Sequence, residues 1–317
     1  MSTSVRHAAP VVVDVTGWEP ADPGWAPDDE RFVTAAGHAA RWLPAGAHDA
    51  LVDVADRAPA AGALLLKGAP VGRLPATPPS PTSPTVKDHV SEFTLLTAAR
   101  RLGQPVGYQP EHGGNLVQNL VPTQVGADRQ VSTSSKVDLM FHTEAAFHPH
   151  RPRYLLLLCL RGDPQAFTTL ASVHEVLPHL PTDVVDVLFQ PRFRTAVDES
   201  YLHGRSNVLG PAMPVLSGER ARPSMVFDED LMVGTDTEAE AALHRLGDAV
   251  RAHQIGVALE AGDLLVVDNH VAVHGRTAYT PRFDGTDRWL QRAMVVPDLA
   301  PSAGERIGRV ITTVFGQ

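Results

Sequence analysis

The chain has 317 residues, with 27 basic and 36 acidic side chains and a formal net charge of −9. Hydrophobic residues make up 43% and charged residues 20%, the balance of a globular protein long enough to bury a sizeable core. The acidic surplus excludes general nucleic-acid binding, which needs a basic stripe to displace phosphate counterions, and no apolar run approaches the ~18 residues of a membrane span. The first residues carry only the short run Val11–Val13 and no secretory apolar region, so a soluble cytoplasmic protein is expected. The lone cysteine, Cys159, lies in an apolar run and reads as core filling. Fifteen histidines are present, and the question is which few carry chemistry.

Taken in chain order, spaced apolar positions from Asp28 to Asp56 predict one or two helices. Gly62–Lys67 reads as a short strand closed by Gly68, and the proline-rich stretch Pro75–Pro84 as a surface loop. A helix is expected over Lys87–Leu102, stopped by Gly103 and Pro105. Asn115–Val121, Val137–Glu144 and Tyr154–Leu160 are strand-like, and the polar segment Thr123–Ser135 between the first two is a candidate lid. Helical patterns follow at Val173–Phe189, broken near Pro178 and Pro181, and at Thr237–His253. Val257–Val296 returns to strands and turns. No repeat or composition break divides the chain, so one domain over 1–317 is expected, with a helical part at about 28–102 and the lid at about 123–135.

The segment VDLMFHTE, Val137–Glu144, places Asp138, Met140, His142 and Glu144 on one strand face, with Val137, Leu139 and Phe141 on the core side. An imidazole and a carboxylate two residues apart can bind one metal ion, which is two-thirds of a facial triad. Alone this pattern is weak. Downstream, the apolar run Asp263–Asp268 leads to Val273-His274-Gly275-Arg276, where a histidine after a buried strand is placed to be a third ligand. The strand Arg288–Val296 then points Arg288, Leu290, Arg292 and Met294 to one face. Two inward arginines are costly unless each meets an anion, and about 13 Å between their backbones leaves room for two different carboxylates.

The stretches SSKVDLMFHTEAAFHPHRPRYLLLLCLRGD (Ser134–Asp163) and DNHVAVHGRTAYTPRFDGTDRWLQR (Asp268–Arg292) resemble the clavaminate-synthase-like Fe(II)/2-oxoglutarate-dependent oxygenases. Within that family they look most like hydroxylases of free arginine, asparagine or lysine. GALLLKGAPV near the start resembles them more loosely. The resemblance implies a mainly β protein with helices: a double-stranded β-helix (jelly-roll, cupin-like) core flanked by α-helices. It implies that His142, Glu144 and His274 bind iron, that Arg288 holds the distal carboxylate of 2-oxoglutarate, and that Arg292 holds the substrate α-carboxylate. Iron, 2-oxoglutarate and O2 are the implied cofactors and co-substrates, and a small-molecule amino acid the implied partner, in specialised-metabolite biosynthesis.

Retention of Glu144 favours hydroxylation or desaturation over halogenation, since related halogenases lack that carboxylate. Asp228 and Asp230, in the segment MVFDED, share a face if extended. Asp228 matches the position where relatives present an acid to the substrate side chain. Gln118 resembles a residue that touches the substrate amino-acid group, and Ser134 and Ser135 a junction between lid and strand. His148 reads as structural, Arg276 as bonded to a carbonyl or acid, and Asn269-His270-Val271 departs from an arginine common in relatives. A desaturase of the same family is an alternative activity, and a non-catalytic or zinc-dependent barrel stands further off, because zinc also accepts two histidines and a glutamate. Oligomeric state is left open.

Overall fold

The computed structural model describes residues 8–316 apart from 21 and 203. The first seven residues, part of the stretch read above for a leader, lie outside the described residues.

Two sheets face each other. The larger runs in the order Val11–Asp14, Ala63–Lys67, Leu264–Asp268, Tyr154–Arg161, Trp289–Val296, Gln104–Tyr108, Val310–Ile311 and Arg306–Ile307, with Gln118–Leu120 also paired to Trp289–Val296. The smaller runs Ile255–Ala258, Phe167–Ser172, Ala272–Arg276 and Leu139–His142. Three apolar layers follow from the period-2 alternation of the strands. Leu155, Leu157 and Cys159 point between the sheets, where they meet Leu170 and Ala272 of the smaller one. Leu156, Leu158 and Leu160 point outward onto Phe32, Leu51, Leu95 and Leu96 of the N-terminal helices. The outer face of the smaller sheet, with Phe141 and Val273, is covered by Val187, Leu243 and Leu246. A strand covered on both faces needs a continuous apolar run, which is why Tyr154–Leu160 has no polar alternation. Burial of each such leucine contributes about 1.5–3 kcal/mol. The architecture is the expected double-stranded β-helix with flanking helices.

The N-terminal helical region is two helices, Glu30–Ala39 and Ala45–Asp56. Asp29 caps the first by accepting from Arg31 N at 2.8 Å. Asp236 caps Thr237–Ala252 through Glu238 N and Ala239 N. Some expected boundaries move. The helix expected from Lys87 begins at Val90, because Lys87 folds back to place its ammonium on Ser91 and Glu92. The expected helix Val173–Phe189 is two short helices, Val173–Val176 and Thr182–Leu188, parted by a 3-10 turn carrying Pro178. The strand expected over Val137–Glu144 is only Leu139–His142, and Leu139 lines the cavity described below instead of the core. Met225–Asp230 is not extended to its end. It turns after Asp228, whose Oδ1 accepts from Asp230 N at 3.0 Å and Leu231 N at 2.8 Å. The strands Gln104–Tyr108 and Phe167–Ser172 had no clear signal in the sequence.

Candidate active site

His142 ends the strand Leu139–His142, and His274 lies opposite it in the paired strand Ala272–Arg276. Their rings are 4.3 Å apart. Gly275 permits this close pairing, since a Cβ there would stand 2.4 Å from Leu139 O. Glu144 arrives from the side. The chain turns after His142, with Ala145 in the left-handed region at φ 52°, and Asn269 clasps Glu144 by both main-chain groups. Asn269 Oδ1 accepts from Glu144 N at 2.8 Å, while its Nδ2 donates to Glu144 O at 3.1 Å and Pro152 O at 2.9 Å. Thr143 meanwhile pairs with Phe227 through Thr143 N to Phe227 O and Phe227 N to Thr143 Oγ1. That pairing lays Asp228 beside His142.

One ligand atom from each of His142, Glu144 and His274 lies within 4.8 Å of the others. His142 Nδ1 is 2.9 Å from Met140 O. A carbonyl only accepts, so this nitrogen carries the proton and Nε2 keeps its lone pair for a metal. His274 Nε2 is 3.7 Å from Glu144 Oε2. Burial above all, with the positive charge of Arg292 nearby, holds His274 well below the ordinary histidine range, so it stands neutral as a ligand must. Two neutral imidazoles and one carboxylate fit a divalent iron with open positions.

The two arginines differ. Arg292, opposite Gln118 in the sheet register, donates from Nε at 2.9 Å and Nη2 at 2.5 Å to Gln118 Oε1. Its Nη1 reaches both Glu144 oxygens at 3.0 and 3.1 Å, and its Nη2 reaches Glu111 Oε2 at 2.8 Å. Burial works against its charge, yet Glu111 and Glu144 outweigh burial and its pKa is raised. Burial raises the pKa of Glu111, with Arg292 opposing. The sequence reading missed Glu111, which sits in a loop with no pattern around it. Gln118 Nε2 is buried without a partner.

Arg288 stands just before the strand, 7% exposed. Its polar neighbours are Thr168 Oγ1 at 3.5 Å and Tyr279. Among the described residues it makes no ion pair. Burial pushes its pKa down.

A cavity of about 390 Å³ opens onto His142, Glu144 and Arg292. Its lining includes Asp198, Asp228 and Asp230, and Thr123, Val125 and Arg129 of the lid segment. Asp228 is buried and Asp230 exposed, and burial raises the Asp228 pKa while His142 opposes it. Asp198 was not anticipated from the sequence. Arg129 of the lid pairs with Glu199 across the mouth. Ser135 does not line this cavity. It lies buried at the lid root, where Ser135 O accepts from Tyr279 N at 2.8 Å. Gln118 and Arg288 also lie off the cavity wall, on the far side of Arg292 and between the sheets respectively. His148 is structural as expected, its ring edge-on to Tyr108 at 4.9 Å. Arg276 bonds main-chain carbonyls, also as expected.

With fold and site defined, comparison with known proteins places the chain. Residues 84–294 match the family described as taurine catabolism dioxygenase TauD, TfdA family, and the chain belongs to that family. It is 39% identical over 265 residues to the L-lysine 3-hydroxylase of Catenulispora acidiphila, covering 80% of this chain and 73% of that protein. Identity to the L-asparagine oxygenase of Streptomyces coelicolor is 40% over 285 residues, covering 88% and 84%. A crystal structure of asparagine oxygenase with Fe(II), 2S,3S-3-hydroxyasparagine and succinate superposes with a TM-score of 0.86 at 38% identity, over 92% of each chain. The non-heme iron oxygenase OrfP with Fe, succinate and (3S)-hydroxy-L-Arg gives 0.81 at 32% identity, over 89% and 91%. Among the described residues no helix is long and apolar enough to cross a membrane.

Proposed function

We propose that the chain is a non-haem Fe(II)/2-oxoglutarate-dependent dioxygenase that hydroxylates an unactivated Cβ–H or Cγ–H bond of a free L-amino acid with a basic or amide side chain, in the cytoplasm. The observation that carries this reading is the set of three converging ligands, together with a buried arginine that has no ion pair among the described residues. His142, Glu144 and His274 hold the iron, and Arg288 binds the distal carboxylate of 2-oxoglutarate through its guanidinium fork. A hydrolytic zinc site has no use for such an arginine. With O2, bound iron and 2-oxoglutarate supply the oxidising power for C–H hydroxylation and release succinate and carbon dioxide.

The chain's own residues orient the substrate. Arg292 takes the α-carboxylate, exchanging part of its bond to Glu111 for it, and the freed Glu111 accepts from the α-ammonium. Gln118 holds the Arg292 guanidinium in plane. Asp228 and Asp230 face the substrate side chain, and neither has an ion-pair partner among the described residues. Asp228 Oδ1 already accepts from two main-chain N–H groups, but an apolar side chain would leave the carboxylate without a counter-charge, which an ammonium, guanidinium or amide end would offset. Ser135 and the lid close the site to water.

The test is a mass-spectrometric screen of free amino acids with Fe(II), 2-oxoglutarate and ascorbate. A gain of one oxygen on arginine, lysine or asparagine is expected, with one succinate per product. His142→Ala should abolish both. Product from carrier-bound substrates only, or undiminished turnover in the variant, would overturn the proposal.

A further inference from the structure

The two inward arginines are fixed to the sheet differently. Arg292 lies in mid-ladder, with Gln118 opposite on one side and Leu157 on the other. Arg288 precedes the first strand residue, Trp289. The ladder is also irregular there: Trp289 pairs with Arg161 and Leu290 with Cys159, so Leu160 is one residue too many. A bulge of this kind re-aims the side chains beside it. Sheet pairing therefore does not set the direction of Arg288, and its polar neighbours are Thr168 Oγ1 at 3.5 Å and Tyr279.

What fixes the chain at this point is the proline-rich stretch Pro75–Pro84. Expected to be a surface loop, it is exposed at Ala76 and Pro79 but buries Thr77 and Pro78. Thr77 N donates to Gly285 O at 2.8 Å, and Thr77 Oγ1 donates to Asp287 O at 2.7 Å across 210 positions of sequence. Asp287 O belongs to the peptide group that leads into Arg288. Arg161 holds the other side of the hydroxyl. Its Nη1 donates to Thr77 Oγ1, and also to Gly285 O at 3.3 Å, while its Nη2 donates to Pro75 O at 3.1 Å. A guanidinium only donates, so the single hydroxyl proton of Thr77 goes to Asp287 O. The charge on Arg161 polarises that hydroxyl and strengthens the bond. Asp287 closes the turn from its own side, where Oδ1 accepts from Arg282 N at 2.6 Å. Gly285, at φ 84°, lets the two loops touch, since a Cβ there would stand 3.0 Å from Ala76 Cβ.

We infer that Thr77, its hydroxyl oriented by Arg161, is a positioning residue that holds the Asp287–Arg288 peptide so that the Arg288 guanidinium meets the distal carboxylate of 2-oxoglutarate. This role rests on the function proposed above for Arg288. A fork-to-carboxylate contact is geometrically demanding, and Arg288 has a long side chain with many rotamers. Loosening the main chain at its root therefore weakens the contact without touching it.

The test is calorimetry of 2-oxoglutarate binding to the full chain with Mn(II), kept anaerobic. Thr77→Val keeps the shape and removes the hydroxyl. Its dissociation constant for 2-oxoglutarate should rise about 3-fold or more, the loss of one hydrogen bond, while Mn(II) affinity stays within about 2-fold. Thr77→Ser returns the hydroxyl and should bind 2-oxoglutarate within about 2-fold of the wild type. In an Arg288→Met background, Thr77→Val should cause no further loss, because both changes act through one contact. A general weakening of the fold would lower affinity in both backgrounds.

If the wild-type protein binds no 2-oxoglutarate, the functional reading fails. If it binds, the inference is overturned by a loss smaller than about 3-fold in Thr77→Val, by an equal loss in the Arg288→Met background, or by failure of Thr77→Ser to recover binding. Should Thr77→Val not fold, Arg161→Met decides, because it leaves the Thr77 hydroxyl in place and removes the group that orients it. A loss of about 3-fold or more that vanishes in Arg288→Met is expected there, and any smaller loss overturns the inference.

Discussion

Arg288 and Arg292 are the same residue type, four positions apart, one just before the strand Trp289–Val296 and one within it, and both are buried. Their surroundings are opposite. Arg292 touches two carboxylates and a glutamine, so nearly all its donors are used. Arg288 touches a threonine hydroxyl and a tyrosine. A buried charge is tolerated only when compensated. Glu111 and Glu144 compensate Arg292, whereas Arg288 has no ion pair among the described residues, and under the proposed function the co-substrate carboxylate compensates it. The same sequence signal thus marks the hub of a carboxylate network in one case and a buried cation without an ion pair in the other.

Removing each side chain should move stability in opposite directions. Arg292→Ala leaves Glu144 and Glu111 buried and facing each other, and should cost about 3–5 kcal/mol, the range for breaking a buried pair. Thermal unfolding of the metal-free protein measures this, and Mn(II) should restore part of the loss by neutralising Glu144. Arg288→Met removes a charge that has no internal partner. Its melting temperature should hold or rise, while 2-oxoglutarate affinity by calorimetry falls about 30-fold or more, equivalent to about 2–5 kcal/mol. A large stability loss in Arg288→Met, or none in Arg292→Ala, would erase the distinction.

The inward direction of both arginines was legible in the sequence because strand alternation is strict. Ala293 and Val295 do go to the helices while Leu290 and Met294 go between the sheets. What each arginine meets was not legible. Glu111 reaches Arg292 across 181 positions of sequence, from a loop without periodicity. The His-x-Glu spacing was read as a continuous strand, yet Glu144 owes its place to a turn and to the Asn269 clasp. Asn269 had stood out only as part of a departure from relatives. Side-chain clasps of main-chain groups across 125 positions leave no local pattern. The metal triad was found because its ligands sit in or beside strands. The cavity wall was found only in part, since Asp198 comes from a loop.

Histidine offers a third answer to burial, which is to lose the charge. Burial, aided by the positive charges of His150 and Arg151, pushes His148 down to about 3, and His148 Nδ1 accepts from His150 N at 2.9 Å. The unfolded chain protonates this group near pH 6.5. Between there and about 3, the unfolded state binds more protons, so stability is full above pH 6.5 and falls as pH drops through that window. The loss should reach about 2 kcal/mol by pH 5. His148→Phe has no proton to gain, and its stability should fall less steeply below pH 6.5 than that of the wild type. Equal slopes in calorimetry across pH 4–7 would show that His148 is not the titrating group.

Arg129 completes the series from the exposed side. It pairs with Glu199 across the cavity mouth, and the two side chains are 46% and 71% exposed. Water screens such a pair and both side chains lose rotamer freedom in forming it, so Arg129→Ala should cost less than about 0.5 kcal/mol. The pair joins the lid to the helix Glu199–Leu202, however, so the substrate KM should rise by about 2- to 3-fold, the fold-change a contribution of that size allows. Glu199→Ala should match it, and the double variant should be no worse than either alone. Additive losses would mean that the two residues act separately, and that burial, not pairing, is what sets an arginine's worth in this site.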